Sequence, residues 1–211
     1  GKTDAVPILG TAVTDYVEAR LVKSNEAPGF NISGTTDMNP IKDQIALIQR
    51  FVPQARTVGL IYTGSEINSQ LQAAIAKTEI EALGMAYTEV TVNNSNDVQQ
   101  AMLSLVNNCD VIYIPTDNVL ASSMPIVAEV ALAEKRPVIC GDAGMVKEGG
   151  QFTLAIDYYK LGQILRGEAQ VSQMPIQRQS DYSYYVNKTL CDAIGLAIPE
   201  DMLAYAEETG A

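Results

Sequence analysis

Apolar, strand-like runs in this chain end repeatedly in small clusters of hydroxyl, acidic and amide residues. Residues 7–13 lead into Thr14 and Asp15, and residues 57–62 lead into Thr63, Gly64, Ser65 and Glu66, with Asn68 and Ser69 just beyond. Residues 111–115 lead into Thr116, Asp117 and Asn118, 138–140 into Gly141 and Asp142, and 31–34 into Thr35, Thr36 and Asp37. These groups suit a small zwitterion or polyol: carboxylates and amides accept from an ammonium, while hydroxyls and helix-start N–H groups receive a carboxylate. They do not suit the common catalytic devices. The chain has no histidine, so the usual base for a serine or cysteine nucleophile and the commonest metal ligand are both missing.

Each cluster has a structural reading beside the binding one. Thr116, Asp117 and Asn118 either face a ligand or form an Asx-turn that caps a helix. Ser65 is expected as an N-cap with Glu66 in the first turn, and the same helix start exposes N–H groups toward a ligand. Thr14 and Asp15 read equally as a cap or a contact, and Asp142 as an ammonium acceptor or a turn residue between Gly141 and Gly144. Asp37 reads as a hinge or turn residue. The expected ligand-binding set is therefore Thr14, Asp15, Ser65, Glu66, Asn68, Thr116, Asp117, Asn118 and Asp142, with no catalytic and no metal-binding residue.

Such groups need a scaffold that brings strand ends together, and the periodicity supplies one. Ile41, Ile45, Ile48 and Val52 mark a helix face that stops at Pro53, and 57–62 is a β-rich run. Ile67, Leu71, Ala74, Ile75 and Ala82 form a second helical stripe ending at Gly84, followed by a strand over 86–92. Asp97 opens a helix carrying Val98, Ala101, Met102, Leu105 and Val106. Residues 110–114 are almost wholly apolar, as expected of a parallel strand covered on both faces. A helix starting at Ser122 or Ser123, with Pro125 in its first turn, and strands over 137–140 and 152–156 complete the series.

Strands alternating with helices imply right-handed crossovers and an α/β fold with a doubly wound parallel sheet. Open sheets of this kind bind ligands outside the carboxyl ends of their strands, where the polar clusters fall. Residues 41–157 read as one complete lobe. Residues 1–40 and 158–211 read as parts of another, the latter through a short helix, a tyrosine-rich strand over 182–186 and two short helices.

Composition narrows the function further. The 211 residues are 47% hydrophobic and carry a formal charge of −11, which argues against a nucleic-acid backbone or an anionic lipid surface as partner. No stretch approaches the roughly 18 apolar residues of a membrane span, and the start, Gly1-Lys2-Thr3-Asp4, is not a signal peptide. The three cysteines, at 109, 140 and 191, lack metal-type spacing; Cys109 and Cys140 read as buried small hydrophobes. The ten tyrosines invite an aromatic-cage reading, but Tyr62 and Tyr113 fall within core strands, and Tyr182, Tyr184 and Tyr185 within the tyrosine-rich one. Neither Gly-x-Gly-x-x-Gly nor a P-loop is present, so no nucleotide cofactor is expected.

Several stretches together resemble the substrate-binding proteins of bacterial ABC transporters, with the periplasmic-binding-protein type 1 fold, and in particular the group with tryptophan- and tyrosine-binding members. They are Thr11-Ala12-Val13-Thr14-Asp15, Leu21-Val22-Lys23-Ser24, Pro28-Gly29-Phe30-Asn31-Ile32-Ser33-Gly34 and 62–69, then Asn94-Ser95-Asn96-Asp97-Val98-Gln99, Ile114-Pro115-Thr116-Asp117-Asn118 and Ile156-Asp157-Tyr158-Tyr159-Lys160-Leu161-Gly162. The resemblance implies two lobes, a hinge of several crossings, and a receptor that closes on an amino acid, aromatic by preference, and delivers it to a membrane permease. It implies a place in the periplasm or on the outer face of the bacterial membrane, with attachment only through the permease or through a lipid anchor not present in this chain. It also implies further residues ahead of this segment, so that the first lobe is incomplete here, and a helix after Gly162 shortened by Ile164-Leu165-Arg166-Gly167-Glu168.

Two other classes compete with transport. The effector-sensing half of a transcriptional regulator shares the fold and needs a helix-turn-helix ahead of it. A carboxylate-based enzyme would rely on a pair such as Asp15 with Asp117.

Overall fold

The computed structural model describes residues 6–164 and 174–208; the shortened-helix expectation falls almost wholly outside them. The chain forms two compact units, a smaller one of Gly1–Met38 with Ile156–Ser183 and a larger one of Asn39–Ala155 with Tyr184–Ala211.

The larger unit follows the expected alternation. Helix α1 (Ile41–Phe51) buries Ile41, Gln44, Ile45, Leu47, Ile48 and Phe51. It precedes β3 (Thr57–Thr63), α2 (Ile67–Ala82) and β4 (Ala86–Val92), while β1 (Ile8–Thr11) and β2 (Ile32–Thr36) belong to the smaller unit. A single 3-10 turn over Ser95–Asp97 leads into α3 (Val98–Val106), so Asp97 closes that turn rather than capping the α-helix with its side chain. Strand β5 (Val111–Ile114), α4 (Asn118–Ser122), α5 (Met124–Ala133), β6 (Val138–Cys140), α6 (Ala143–Glu148) and β7 (Phe152–Ala155) complete the series. The turn of helix at α4 was not anticipated; the later helix begins at Met124 with Pro125 in its first turn.

With β9 (Ser183–Asn187) and β10 (Ala206–Glu207) from the end of the described chain, the sheet runs β10-β9-β7-β6-β5-β3-β4. Strands β4, β3, β5, β6 and β7 pair in parallel, with Val58 opposite Val111 and Ile112 opposite Val138. Their carboxyl ends therefore share one edge. One face is packed by Val98, Met102, Leu105, Val127, Val130 and Ala131 of α3 and α5, while the aromatic rings of Phe51 on α1 and Phe152 on β7 stack 3.9 Å apart.

Residues 184–208 depart from the expected division, which put the whole of 158–211 in the partial lobe. Strands β9 (Ser183–Asn187) and β10 (Ala206–Glu207) extend the larger sheet instead. Side-chain geometry explains this. Asn187 donates its backbone N–H to Gln151 O at 2.8 Å and its amide to Val146 O at 3.0 Å. Cys191 on α8 (Lys188–Ile194) is fully buried, and Arg50 Nη2 grips both Asp201 oxygens at 2.7 and 2.6 Å. All three cysteines are buried free thiols. Burial pushes the Cys109 thiol up to about 11 and the Cys191 thiol to about 12, so neither is a reactive thiolate.

The smaller unit holds a parallel sheet in the order β1-β2-β8, from β1 (Ile8–Thr11), β2 (Ile32–Thr36) and β8 (Gln177–Arg178), with α7 (Tyr158–Ile164). Tyr16, Val22 and Ile32 form its core. The Tyr16 hydroxyl lies over Gly34, where an added Cβ would sit 2.3 Å from it and 2.0 Å from Gly10 O. Only glycine fits there.

Candidate functional site

At the carboxyl edge of the larger sheet, the loops after β3, β5 and β6 meet. Gly141 explains how closely: a Cβ there would fall 2.1 Å from Thr116 N, so the β6 loop lies directly against the β5 loop. Thr116 is the hub of the cluster. Its carbonyl accepts from the amides of Asn68 at 3.2 Å and Gln72 at 3.1 Å, and its hydroxyl accepts from Asn39 Nδ2 at 3.2 Å. Gln72 returns its oxygen to Thr116 N at 3.3 Å.

Glu66 joins the two loops. It occupies the N-cap position of α2 in extended conformation but makes no side-chain cap bond there. The β3–α2 turn, closed by Glu66 N donating to Thr63 O at 3.3 Å, moves the helix start one residue beyond the expected Ser65 cap, and Ser65 is an exposed turn residue. The Glu66 carboxylate instead reaches across to the start of α4. Its Oε2 accepts from Asn118 Nδ2 at 2.9 Å, Asn118 N at 3.3 Å and Asn68 Nδ2 at 3.3 Å.

Asp117 differs from the expected contact residue. It is 1% exposed, and its carboxylate accepts from Thr63 N at 2.7 Å, Thr63 Oγ1 at 2.8 Å and Leu120 N at 2.9 Å. It caps α4 and ties that cap to the end of β3. In this conformation no ligand reaches it.

Asp142 caps α6 through Oδ1, which accepts from Met145 N at 3.0 Å, and it remains partly exposed. Burial raises its carboxyl above the usual carboxylate range, against the lowering pull of the Met145 and Gly144 backbone N–H groups.

The structure thus brings Glu66, Asn68, Thr116 and Asn118 together by direct hydrogen bonds, sets Asp142 beside them after β6, and leaves Ser65 on the adjoining turn. Sequence reasoning missed the support beneath. Gln44, fully buried on α1, donates to Gly141 O at 3.0 Å and Leu154 O at 2.8 Å, and accepts from the Tyr113 hydroxyl at 2.9 Å. Gln72 is equally buried. The available signal was an amide inside an apolar helical stripe, since a buried amide must be satisfied by something specific.

In the smaller unit, Asp15 Oδ1 accepts from Val17 N at 2.8 Å and Glu18 N at 2.9 Å, and Thr14 O accepts from Thr36 Oγ1 at 2.6 Å. Both residues are half-buried beyond the end of β1. Asp37 is 7% exposed, and the Tyr158 hydroxyl lies 3.5 Å from its Oδ2. Burial first, and then the Asp37 charge, push the Tyr16 hydroxyl up to about 12. No group of side chains among the described residues could hold a metal ion, and no described helix is long and apolar enough to cross a membrane.

Comparison with known proteins adds to this geometry. A family model described as ABC transporter substrate binding protein matches residues 1–210. A tyrosine-binding protein of Clostridioides difficile (strain R20291) is 38% identical over 202 residues, which cover 92% of this chain and 58% of that protein. The chain thus spans little more than half the length of this curated relative. Among solved structures, an ABC domain in complex with L-Trp from Streptococcus pneumonia superposes with a TM-score of 0.88 at 31% identity, covering 97% of this chain and 72% of that one. A ligand-free, open substrate-binding protein with adhesive properties from Clostridium difficile gives a TM-score of 0.80 at 39% identity, over 99% of this chain and 73% of that one.

Proposed function

The chain belongs to the ABC transporter substrate-binding protein family, and from that premise we propose that it is the solute-binding receptor of an importer, capturing a free amino acid, aromatic by preference. The observation that carries the reading is the loop cluster at the carboxyl edge of the larger sheet, where Glu66 is held between Asn68 and Asn118. Binding groups belong at that edge in an open α/β sheet. The tyrosine-binding relative and the L-Trp complex support an aromatic ligand.

Ser65, Glu66, Asn68, Thr116, Asn118 and Asp142 form the ligand-facing set of the larger unit in this proposal, and Thr14 and Asp15 that of the smaller one. Asp117 acts beneath them as the cap that fixes the β5 loop. The smaller unit is part of a first lobe that further residues complete, and ligand-linked closure of the lobes presents the solute to a permease outside the cytoplasm. The ligand leaves unchanged, because the described cluster has no general base aligned with a nucleophile.

A thermal-shift panel on the whole gene product, stripped of ligand, tests this against each proteinogenic amino acid. Ligand at about 100 times its Kd stabilises the native state by about 2.7 kcal/mol, which raises Tm by about 5–11 °C. L-tyrosine or L-tryptophan should give that rise. A flat response across the panel would overturn the proposal.

A further inference from the structure

Within the proposed capture of an amino acid, we infer that Glu66, Asn68 and Asn118 form an acceptor-rich rim that selects the ligand's primary ammonium group. Several polar atoms of the cluster are already engaged with one another. The Glu66 carboxylate only accepts, so both neighbouring amides must turn their NH2 groups toward it. Asn118 Nδ2 donates to Glu66 Oε2 at 2.9 Å, and Asn68 Nδ2 donates to the same oxygen at 3.3 Å and to Thr116 O at 3.2 Å.

That arrangement commits both N–H groups of the Asn68 amide and one of the two on Asn118, and leaves the side-chain acceptors. Among the described residues, no hydrogen bond is taken up by Glu66 Oε1, Asn68 Oδ1 or Asn118 Oδ1. Asn118 is exposed, and Glu66 and Asn68 are half-buried, so solvent and solute reach the rim. Three acceptor oxygens, one of them on a carboxylate, complement a group with three N–H donors, no acceptor and a positive charge. A primary ammonium is such a group. A ligand carboxylate at the free Glu66 oxygen meets a like charge, while a neutral hydroxyl gains no charge assistance.

Asp142, the other acidic candidate at this edge, is the weaker partner for a cation. Its Oδ1 is engaged by Met145 N, and burial favours its neutral acid. Glu66 lies instead at the N-cap position of α2 and keeps Oε1 free of any bond among the described residues. Asn118 N and Nδ2 hold the carboxylate in place, and it has no cationic partner among the described ion pairs.

The inference rests on the capture reading, and the test separates the two. Binding of L-tyrosine, tyramine (ammonium kept, carboxylate removed) and 3-(4-hydroxyphenyl)propanoate (carboxylate kept, ammonium removed) is measured by calorimetry on the whole gene product and on Glu66→Gln. Loss of a charge-assisted bond should weaken L-tyrosine and tyramine by about 10- to 150-fold and leave the propanoate within about threefold of wild type. Equal weakening of all three ligands would make Glu66 a structural latch between loops, and no weakening would remove it from the site; either overturns the inference. If Glu66→Gln fails to fold, Asn118→Ala supplies the same three-ligand comparison. Where wild type takes L-tryptophan instead, tryptamine and 3-(indol-3-yl)propanoate replace the two tyrosine analogues; should it bind neither amino acid, the capture reading falls, and the ammonium rim falls with it.

Discussion

Replacing Asp117 by alanine should destabilise the protein itself, before any ligand is considered. Its carboxylate is the acceptor for Thr63 N, Thr63 Oγ1 and Leu120 N, at 2.7, 2.8 and 2.9 Å, and the side chain is 1% exposed. Alanine leaves two buried backbone N–H groups with no acceptor, each worth about 1–3 kcal/mol, while the Thr63 hydroxyl can rotate to another partner. Loss of an N-cap alone costs about 1 kcal/mol, which sets the floor. A total of about 3–5 kcal/mol follows once the bonds are treated as coupled rather than additive. For a chain of this size that corresponds to a fall in Tm of about 6–20 °C. Urea unfolding and a thermal melt, both without ligand, read it directly. Asp117→Asn should be only partly restored, since its amide oxygen can serve one donor while its NH2 is set against another. A ligand-free Asp117→Ala within about 0.5 kcal/mol of wild type would refute the capping account and return Asp117 to the ligand.

Three further outcomes follow from the same supports. Gln44→Leu should cost about 2–4 kcal/mol in urea unfolding, because it strands the buried Tyr113 hydroxyl and the Gly141 and Leu154 carbonyls. Gly141→Ala drives a Cβ to 2.1 Å from Thr116 N, so backbone must move; ligand binding at the β5 loop should fall at least tenfold even where circular dichroism shows an intact fold. Asp142→Asn keeps the cap to Met145 N and removes a carboxylate that burial disfavours. Because the folded acid is raised above its unfolded value, the penalty appears as pH rises through that window and persists above it. The variant should therefore match or exceed wild-type stability at pH 7, with the difference vanishing as pH falls below the ordinary carboxylate range.

The alternation of strands and helices over 41–157 was legible because each apolar stripe has a period that only one element satisfies. Positions set by distant partners were not legible. Gln44 looks like an interruption of the Ile41–Ile45–Ile48 stripe until Gly141 and Leu154, 97 and 110 residues away, supply its hydrogen bonds. Asp117 carried the sequence features of a strand-end contact and of a helix cap alike, and the deciding partner, Thr63, lies 54 residues earlier. Ser65 is a good N-cap by residue type, yet the turn bond from Glu66 N to Thr63 O passes the helix start to Glu66. The tail at 184–208 joins the larger sheet and not the smaller unit, and a tyrosine-rich strand by itself says nothing of which sheet edge it joins. Asn187, bonded to Gln151 and Val146, settles that edge. The polar clusters at Glu66, Asn68, Thr116 and Asn118 were visible as types, but their hydrogen-bonded union was not.

Native mass spectrometry of the gently purified whole gene product, with recovery of whatever it carries, decides whether the proposed receptor captures a free aromatic amino acid without altering it. The expected result is one small ligand per chain, identified on release as intact tyrosine or tryptophan and restored by adding that amino acid to stripped protein. A chain that carries nothing, rebinds neither amino acid at millimolar concentration, or returns a chemically altered product would contradict it.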